Sequence, residues 1–353
     1  MSGSSLDGLD IAYVQLEEVR GKWSFEILHT DCISYTAEWT TNLRNAADMS
    51  VPAFLKLHTA YGKLIGNAVN AFINRHDLGH KVHFIASHGH TVFHEPAQQT
   101  TFQIGDGASI AALTGLPVIS DLRMMDVALG GQGAPIVPIG DRLLFGNYDY
   151  LLNLGGIANI TVQAGDNNSI AFDVCPANQI LNALALREGK PMDENGAMAA
   201  KGSLLFDVKD QLANNAYYHT TAPKSLSNEA AQNIAEAVLH DSTNTTQDLL
   251  HTFCNHIADQ VAAAVHQCPV SSESKTMLIT GGGALNTHLI AEIKKRLEPA
   301  QVTIDVPSIP VVQYKEALVM ALIGALRWRE EINVLGSVTG ASRDSAGGAL
   351  WLP

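Results

Sequence analysis

Asp173 is the residue best placed to do chemistry, because it is a carboxylate at the junction of a predicted strand and a predicted helix. It follows Phe172 and comes shortly before Cys175 and Pro176. A β-type run is predicted to end at Asp173 and a helix to begin with Pro176 in its first turn. A carboxylate on a rigid strand end can take a proton from water or a hydroxyl as a general base. Two alternatives remain open: Asp173 caps the helix, or Cys175 is a nucleophile activated by the helix N-terminus. Because no other feature requires a covalent intermediate, we favour Asp173 as the base.

Two glycine-containing turns, far apart in the chain, each adjoin a β-type run. The first covers residues 2–8, and the second contains Gly155, Gly156 and Asn159. Glycines let backbone N–H groups approach an anionic oxygen closely, and small hydroxyls add donors. The pair predicts a phosphate clamp in which Asp7 holds a hydrated Mg²⁺, although the first segment alone is equally consistent with an ordinary polar turn. No Walker pattern occurs, so a P-loop enzyme is not expected.

A third glycine turn, at residues 281–283, follows a predicted strand and opens a predicted helix. A dinucleotide-binding fingerprint would have a further glycine where Asn286 stands, so the match is partial, although Asp305 resembles the ribose-binding acid of that fingerprint. A tight structural turn is the simpler explanation. We favour an adenosine site at the helix N-terminus, which would complement the other two turns.

Two further clusters of polar residues surround a predicted strand over residues 117–120. His88, His90, His94 and Glu95 have spacing compatible with a metal, but contacts from His88, His90 and Thr91 to substrate hydroxyls are the favoured interpretation. Beyond the strand come Asp121, Arg123 and Asp126, which form either a local ion pair or a site for a substrate acid or phosphoryl group.

The composition limits the class of protein. The 353 residues are 46% hydrophobic and 16% charged, which is typical of a folded chain with two lobes. A net charge of −13 argues against nucleic-acid and anionic-membrane partners, since both require a positive surface. The four cysteines show no metal-ligand spacing or disulfide pattern, and the first residues do not resemble a signal peptide. A cytoplasmic location is therefore expected.

Alternating strands and helices must position these residues. Strands are predicted over residues 11–16, 25–35, 82–86, 101–104, 117–120, 149–153, 157–163, 169–172, 277–280 and 302–304. Helices are predicted over residues 52–75, 108–114, 177–188, 246–267, 286–297 and 316–328. The pattern predicts a mixed α/β protein with an N-terminal lobe over 1–145, completed by about 330–353, and a C-terminal lobe over 146–330.

Taken together, these motifs resemble the anhydro-N-acetylmuramic acid kinase family of the sugar kinase/heat-shock protein/actin superfamily. The resemblance is carried by residues 1–10, 87–96, 102–106, 121–138, 152–161, 172–178, 280–286 and 337–342. It implies a two-lobe, actin-like fold (duplicated ribonuclease H-like units with mixed sheets and an interlobe cleft). It also implies an ATP- and Mg²⁺-dependent kinase that opens the 1,6-anhydro ring of the sugar with water and phosphorylates O6 during cell-wall recycling.

The resemblance also assigns roles to individual residues. Asp173 matches the catalytic aspartate, Arg123 and Glu316 lie in segments that resemble active-site stretches, and Lys224 lies near predicted sugar contacts. The ATP-binding segment would comprise Gly3, Ser4, Ser5, Leu6, Asp7, Gly8, Leu9 and Asp10, with Gly155, Gly156, Asn159, Gly281, Gly282, Gly283 and Asn286 from the second lobe. Family members are typically dimers, so a homodimer is expected.

Several departures from the family pattern leave an alternative open. Cys175 stands where glycine is usual, His90 where glutamine is usual, and residues 226–229 replace a Thr-Gly-Arg-Glu run. The strand that normally precedes the first glycine turn is largely absent before Met1, so we expect a mobile turn and a lower ATP affinity. The alternative function is a catalytically impaired sugar- or nucleotide-binding sensor of the same fold.

Overall fold

The structure is a computed structural model that describes residues 1–353 except 4, 5, 7, 164–168, 223 and 273. In chain order the first elements are β1 Gly8–Val19, β2 Lys22–Ser34, α1 Ala37–Arg44, α2 Val51–Arg75, β3 Ile85–Ala86, β4 His90–Glu95, β5 Thr100–Ile104, α3 Gly107–Thr114, β6 Val118–Ser120, α4 Met124–Ala128 and α5 Pro138–Leu144. Next come β7 Tyr150–Leu154, β8 Ile157–Gln163, β9 Ser169–Pro176, α6 Asn178–Leu186, α7 Phe206–Ala213, α8 Asn228–Ile234, α9 Glu236–Leu239, α10 Thr246–Gln267, β10 Lys275–Thr280, α11 Thr287–Leu297 and β11 Val302–Asp305. The last are α12 Ile309–Trp328, α13 Gly336–Thr339 and β12 Ala349–Trp351.

The chain divides into two compact units. Unit 1 comprises Met1–Phe145 with Tyr314–Pro353, and unit 2 comprises Gly146–Gln313. The division falls within α12, where Tyr314 has non-helical backbone angles. Residues 314–328 pack in unit 1, where Val319, Leu322 and Ile323 are fully buried, although the sequence pattern placed them with the second lobe.

Unit 2 is built on a five-stranded mixed sheet in the order β11-β10-β7-β8-β9. β10 pairs in parallel with β7 and β11, whereas β8 is antiparallel to both β7 and β9. The amphipathic helix α10 buries Leu249, Phe253 and Ile257 in the same core as the sheet. The predicted mixed α/β class is confirmed.

Unit 1 contains sheets with fewer strands. β1 and β2 form a long antiparallel hairpin, β12-β6-β3 form a three-stranded sheet, and β4 and β5 form a second hairpin. Helix α2 packs beside α3, which Asp106 caps by accepting hydrogen bonds from the first-turn N–H groups. Gly115 ends α3 with a φ of +66°, a conformation that favours glycine.

Two local predictions were wrong. The predicted buried strand at 82–86 is reduced to Ile85–Ala86, which are only half-buried because this segment borders a cavity. Pro176 does not open a helix: β9 continues through it, opposite Ile157 in β8. Proline is tolerated there because β9 is the edge strand of its sheet and the missing N–H breaks no internal ladder.

The helix α12 is long and apolar enough to cross a membrane by length and composition alone. Most of its apolar window is buried inside the protein, as is typical of a core helix.

Candidate active site

Unit 2 brings three of the predicted turns to one edge of its sheet. Because β7, β9 and β10 run in the same direction, their carboxyl ends lie together. They lead respectively into Gly155-Gly156, Ala177-Asn178 and Gly281–Gly283. Ligands of open α/β sheets are bound at this edge.

Hydrogen bonds join two of these turns, at residues 154–156 and 177–178, and Gly281 and Gly283 pack against the first of them, so that the three form one glycine surface. Ala177 N–H donates to the Gly156 carbonyl at 2.9 Å, and Asn178 N–H donates to the Gly155 carbonyl at 3.0 Å. The Asn178 side-chain amide donates to the Leu154 carbonyl at 2.8 Å. The first two turns are therefore held together by the protein's own hydrogen bonds.

The glycines of this surface serve two different purposes. Gly281 has a φ of +81°, and a Cβ there would lie 2.5 Å from Asn153 Oδ1; a Cβ on Gly283 would lie 2.7 Å from Leu154 Cβ. Glycine is thus required at both positions by packing. Gly156 and Gly282 are exposed, and a Cβ at either position would make only an ordinary van der Waals contact, 3.8 Å from Gln179 Cβ and 3.6 Å from Asn178 Nδ2 respectively.

Asp173 lies within β9, close to the same edge. It is opposite Asn159 of β8, which is itself opposite Asn153 of β7. Residues directly opposite one another in adjacent strands project on the same face, so these three polar side chains form a row across the sheet. Asp173 is therefore a strand residue with ladder partners, and it does not cap α6, whose N-cap residue is Ala177.

The Asp173 carboxylate is held by the loop that precedes α8. Its Oδ2 accepts a hydrogen bond from Leu226 N–H at 2.8 Å, and its backbone N–H donates to the Lys224 carbonyl at 3.0 Å. The Tyr217 hydroxyl donates to the Asp173 carbonyl at 2.6 Å. Burial raises the pKa of Asp173, and the Leu226 N–H partly opposes that rise. A raised pKa brings a carboxyl closer to the range in which general bases work best.

Lys224, predicted to contact the sugar, is tied to the same loop. Its Nζ donates to the Tyr217 carbonyl at 3.1 Å and lies 4.4 Å from the centre of the Tyr217 ring. Burial lowers the pKa of Lys224. The sequence did not indicate Tyr217 or the Leu226 amide as partners of Asp173, although residues 226–229 were noted as a departure from the family pattern.

The structure gives other roles to the residues of unit 2 that suggested a nucleophile or a dinucleotide site. Cys175 is completely buried, and burial raises its pKa, so it is a core residue without a reactive thiolate. Asn286 caps α11 by accepting a hydrogen bond from Leu289 N–H at 3.0 Å. The Tyr148 hydroxyl donates to Asp305. Both residues of the partial dinucleotide fingerprint thus have partners within the protein.

Unit 1 contains a second group of predicted residues, centred on Arg123. Its Nε donates to His88 Nε2 at 2.9 Å, and its Nη1 donates to the Gly133 carbonyl at 2.7 Å. Since a guanidinium can only donate, His88 Nε2 accepts, and its Nδ1–H donates to the Gly89 carbonyl at 3.1 Å. Burial, together with Arg123, lowers the pKa of His88 to about 3, so the ring is neutral.

His90 lies at the end of a buried chain of hydroxyl groups. The Tyr35 hydroxyl donates to Ser2 Oγ at 2.8 Å, and Ser2 Oγ is 3.2 Å from His90 Nδ1. Thr91 follows in β4, opposite Gln103. Among the residues that the structure describes, no three histidine, cysteine, aspartate or glutamate side chains are placed to hold a metal ion.

Asp126 accepts hydrogen bonds that hold the glycine-rich loop at residues 130–133 in place. It is almost completely buried, with Oδ2 accepting from Gly133 N–H at 2.7 Å and Oδ1 accepting from Thr339 Oγ at 2.6 Å. Asp121, directly after β6, is exposed and has a φ of +55°, a conformation uncommon outside glycine. Partial desolvation raises the pKa of Asp121.

Glu316 and Asp10 form an acidic pair in unit 1. Glu316 lies on α12, and its pKa is raised by burial and then by the negative charge of Asp10 on β1. The positive charge of Arg123 opposes this rise in the pKa of Glu316. The two carboxylates and the guanidinium therefore belong to one electrostatic group.

The glycine segment before β1 is described in part. Ser4, Ser5 and Asp7 lie outside the described residues. Asp7 is the predicted magnesium ligand. Leu6 N–H contacts the Gly3 carbonyl at 3.5 Å, and Leu9 is a core residue. A Cβ on Gly8 would lie 2.8 Å from Cys32 Sγ, so packing against β2 requires glycine there.

Exposed glycine amides beside a carboxylate, at the edge of a mixed sheet, suit a protein that transfers phosphoryl groups to small molecules. The anhydro-N-acetylmuramic acid kinase family model matches residues 1–353. The chain belongs to that family and is a kinase, which implies the use of ATP. The family prediction from the motifs is thus confirmed.

Two relatives match this chain over nearly its whole length. An anhydro-N-acetylmuramic acid kinase of Shewanella loihica is 33% identical over 370 residues, covering 99% of this chain and 97% of the relative. One of Coxiella burnetii is 32% identical over 364 residues, covering 99% and 96%. Among solved structures, xylulose kinase from Rhodospirillum rubrum has 16% identity and a TM-score of 0.32 over 70% of this chain and 50% of its own. The family membership rests on the family model and the relatives.

Proposed function

We propose that this protein uses ATP to convert 1,6-anhydro-N-acetylmuramic acid into N-acetylmuramic acid 6-phosphate and ADP, as part of cell-wall recycling. The names of the relatives give the substrate. The observation that carries the chemistry is the Asp173 carboxylate, half-buried at the sheet edge with one oxygen held by Leu226 N–H. That arrangement leaves Oδ1 as the oxygen to receive a proton.

The reaction would begin when Asp173 takes a proton from the water that attacks C1 of the sugar. The C1–O6 bond then breaks, and its electron pair passes to O6. O6 attacks the γ-phosphorus of ATP, and the bond between that phosphorus and the β,γ-bridging oxygen breaks to release ADP. Arg123 and Glu316 would position the reacting groups and balance their charge, which is the main source of catalysis in phosphoryl transfer.

We assign the nucleotide to the glycine surface of unit 2 and to the segment before β1. Gly155, Gly156 and Gly281–Gly283 would supply backbone N–H groups to the phosphates. Mg²⁺ would neutralise phosphate charge when it is bound. Asp10 and Glu316 suit it, because the negative charge of Asp10 acts on the Glu316 carboxyl, a cation would relieve that repulsion, and Mg²⁺ is commonly held by one or two carboxylates. Asp7 remains a proposed water-mediated ligand.

The remaining assignments are proposals of the same kind. His90, Thr91, Asp121 and Lys224 would contact the sugar, whereas His88 and Asp126, whose polar atoms are bonded within the protein, would fix the shape of that site. We propose a cytoplasmic homodimer. The net charge of −13 argues against nucleic-acid and anionic-membrane partners.

A glycine substitution tests the nucleotide site. Gly156→Val is expected to raise the KM for ATP by about tenfold or more, because a side chain would cover an amide that approaches phosphate, a loss of about 1.4 kcal/mol in binding. The fold should tolerate it, since a Cβ on Gly156 comes no closer than 3.8 Å to Gln179 Cβ. Gly79→Val, at a glycine in unit 1 with nothing within 4 Å, is the control. Equal ATP KM values in the two variants would remove Gly156 from the site.

The function is tested by following ADP release from the purified protein with ATP, Mg²⁺ and the anhydro sugar. We expect release only when all three are present, and a product whose phosphate is on O6 by NMR. Incorporation of ¹⁸O from labelled water at C1 would establish water as the nucleophile. If calorimetry shows that sugar and ATP bind but no turnover follows, the result would instead favour the alternative function, a catalytically impaired sugar- or nucleotide-binding sensor.

A further inference from the structure

The segment over residues 102–106 carries part of the family resemblance, yet the proposed reaction gives no role to Gln103 within it. The last two residues of the segment are structural. Gly105 N–H donates to His58 Nδ1 at 3.1 Å, and the Asp106 carboxylate caps α3. Gln103 lies on β5, and its side chain takes part in neither contact. A different task must therefore be sought for it.

The β4–β5 hairpin has one polar face, and Gln103 lies on it. Gln103 stands opposite Thr91 in the ladder, and Thr101 stands opposite His94. Directly opposite residues project on the same face, and so do residues two apart in one strand. A register irregularity after Thr91 brings His94 to the face that Thr91 occupies. Contacts from His94 Nδ1 to Thr101 Oγ1 at 3.1 Å and from Gln103 Nε2 to Thr101 Oγ1 at 2.9 Å join the side chains of this face.

The other face of the hairpin is apolar. The rings of Phe93 and Phe102 pack against Phe54 of α2, with centres 5.5 and 5.4 Å apart respectively. Phe54 and Phe102 in turn adjoin a hydrophobic core of unit 1. Antiparallel sheets commonly place one face on the core and keep the other for polar groups. The side chain of Gln103 is therefore directed away from this core.

The Gln103 amide oxygen is buried, and it has no hydrogen-bond partner within the part of the chain that the structure describes. The neighbouring contacts fix the direction of the amide. Because a carbonyl can only accept, the Thr101 hydroxyl donates to the Phe93 carbonyl at 3.4 Å, and its oxygen accepts from Gln103 Nε2. Oε1 is thus the atom without a partner. A buried acceptor of this kind is stabilised by a ligand that brings a donor.

Gln103 is adjacent to residues already assigned to the sugar site. Thr91, its partner across the hairpin, is a proposed sugar contact. The turn at Gly89 packs directly on β5, since a Cβ on Gly89 would lie 3.4 Å from Gln103 Cβ. Gly89 follows His88, the ring that accepts from Arg123. The unpartnered oxygen therefore belongs to a residue that borders the proposed site.

We propose that Gln103 is a specificity-determining residue, and that its amide oxygen accepts a hydrogen bond from a neutral donor of the sugar. This inference rests on the proposed function, because the sugar supplies the donor. An amide oxygen cannot donate, so it would not select the carboxylate of the sugar. In 1,6-anhydro-N-acetylmuramic acid the bridge joins C1 to O6 and the lactyl ether occupies O3. Two neutral donors remain, the 4-hydroxyl and the acetamido N–H, and Gln103 recognises one of them.

The test measures the binding of three sugars to the full chain by calorimetry, without ATP. They are the anhydro sugar, its 4-deoxy analogue, and an analogue with an acetoxy group in place of the acetamido group. Gln103→Met keeps the approximate size of the side chain and removes the acceptor. We expect it to weaken binding of the unmodified sugar by about tenfold or more, since a donor of the sugar loses its partner.

The analogues show which donor is involved. The analogue that lacks it should bind the wild type and Gln103→Met equally, within about twofold, because the contact is already absent. Equal binding of the 4-deoxy sugar would assign the 4-hydroxyl, and equal binding of the acetoxy sugar would assign the acetamido N–H. Gln103→Glu, which keeps an oxygen acceptor, should retain the preference for the unmodified sugar. Gln98→Met, at an exposed position between β4 and β5, is the matched control and should bind all three like the wild type.

A side chain that only holds the hairpin together would give a different result. Gln103→Met would then weaken the binding of all three sugars by the same factor. That result would overturn the proposal, as would unchanged binding of the unmodified sugar. Because no readout requires turnover, the two failures are distinguishable: sugar binding that depends on Gln103 without ADP release would contradict the proposed function alone, and ADP release with binding that is independent of Gln103 would contradict this proposal alone.

Discussion

Asp173→Asn is expected to lower kcat by about 10²–10⁴-fold, the range that a general base contributes. The amide can still accept the hydrogen bond from Leu226 N–H through its oxygen, so the local geometry is retained. It cannot take a proton from water at C1, so opening of the anhydro bridge should fail. The KM for ATP should change little, because the glycine turns do not depend on this carboxylate.

ADP release and the thermal unfolding midpoint should be measured together for Asp173→Asn. Asp207→Asn, which changes an exposed acid in the first turn of α7, is the matched control in the same unit and should keep full activity. Full turnover by Asp173→Asn would rule out the proposed base. Loss of turnover with a midpoint many degrees below that of the wild type would point to unfolding instead.

Long elements were predictable from the sequence because their periodicity is sustained. The residues predicted as helices at 52–75 and 246–267 match α2 and α10 almost to the residue. The segment at 82–86 was not predictable, because an apolar run does not reveal whether a partner strand is present on each side. Strand pairing is a non-local property, and it also extended β9 through Pro176.

The candidate site shows the same limit. Gly155, Gly281 and Asp173 stand in recognisable local motifs, so each could be singled out from the sequence. Their assembly on one edge depends on β7, β9 and β10 running in the same direction. The Leu226 amide was invisible for a simpler reason: backbone donors carry no signature in the sequence, and 53 positions separate it from Asp173.

Histidines illustrate why residue type alone does not define a role. His88, His90 and His94 have the spacing of a metal site, yet each ring already contacts a protein partner: Arg123, Ser2 and Thr101 respectively. For His88, both nitrogens are engaged, and the neutral ring accepts from a guanidinium. Only the tertiary contacts distinguish a ligand from a positioning residue.

The hydrogen bond from Leu226 N–H to Asp173 makes a second large effect testable. Leu226→Pro removes the donor that stabilises the carboxylate, so the pKa of Asp173 should rise further above its usual range. The ionised base would then be lost at a higher pH, and the acidic limb of the kcat profile should move upward. We expect kcat near pH 6 to fall by about 10–100-fold, since a hydrogen bond to a charged group contributes about 1.5–3 kcal/mol.

Leu226→Ala separates the effect of losing the Leu226 side chain from the effect of losing its backbone N–H. Leu226 is buried in the core of unit 2, so alanine should lower the unfolding midpoint while it keeps the N–H and leaves the acidic limb in place. The decisive measurement is the pH dependence of kcat for both variants, beside their thermal midpoints. An acidic limb that moves equally in both would show that core packing, rather than the amide, sets the protonation of Asp173. A limb that moves only with proline would mean that the base is tuned by a backbone group, which any residue other than proline can supply at position 226.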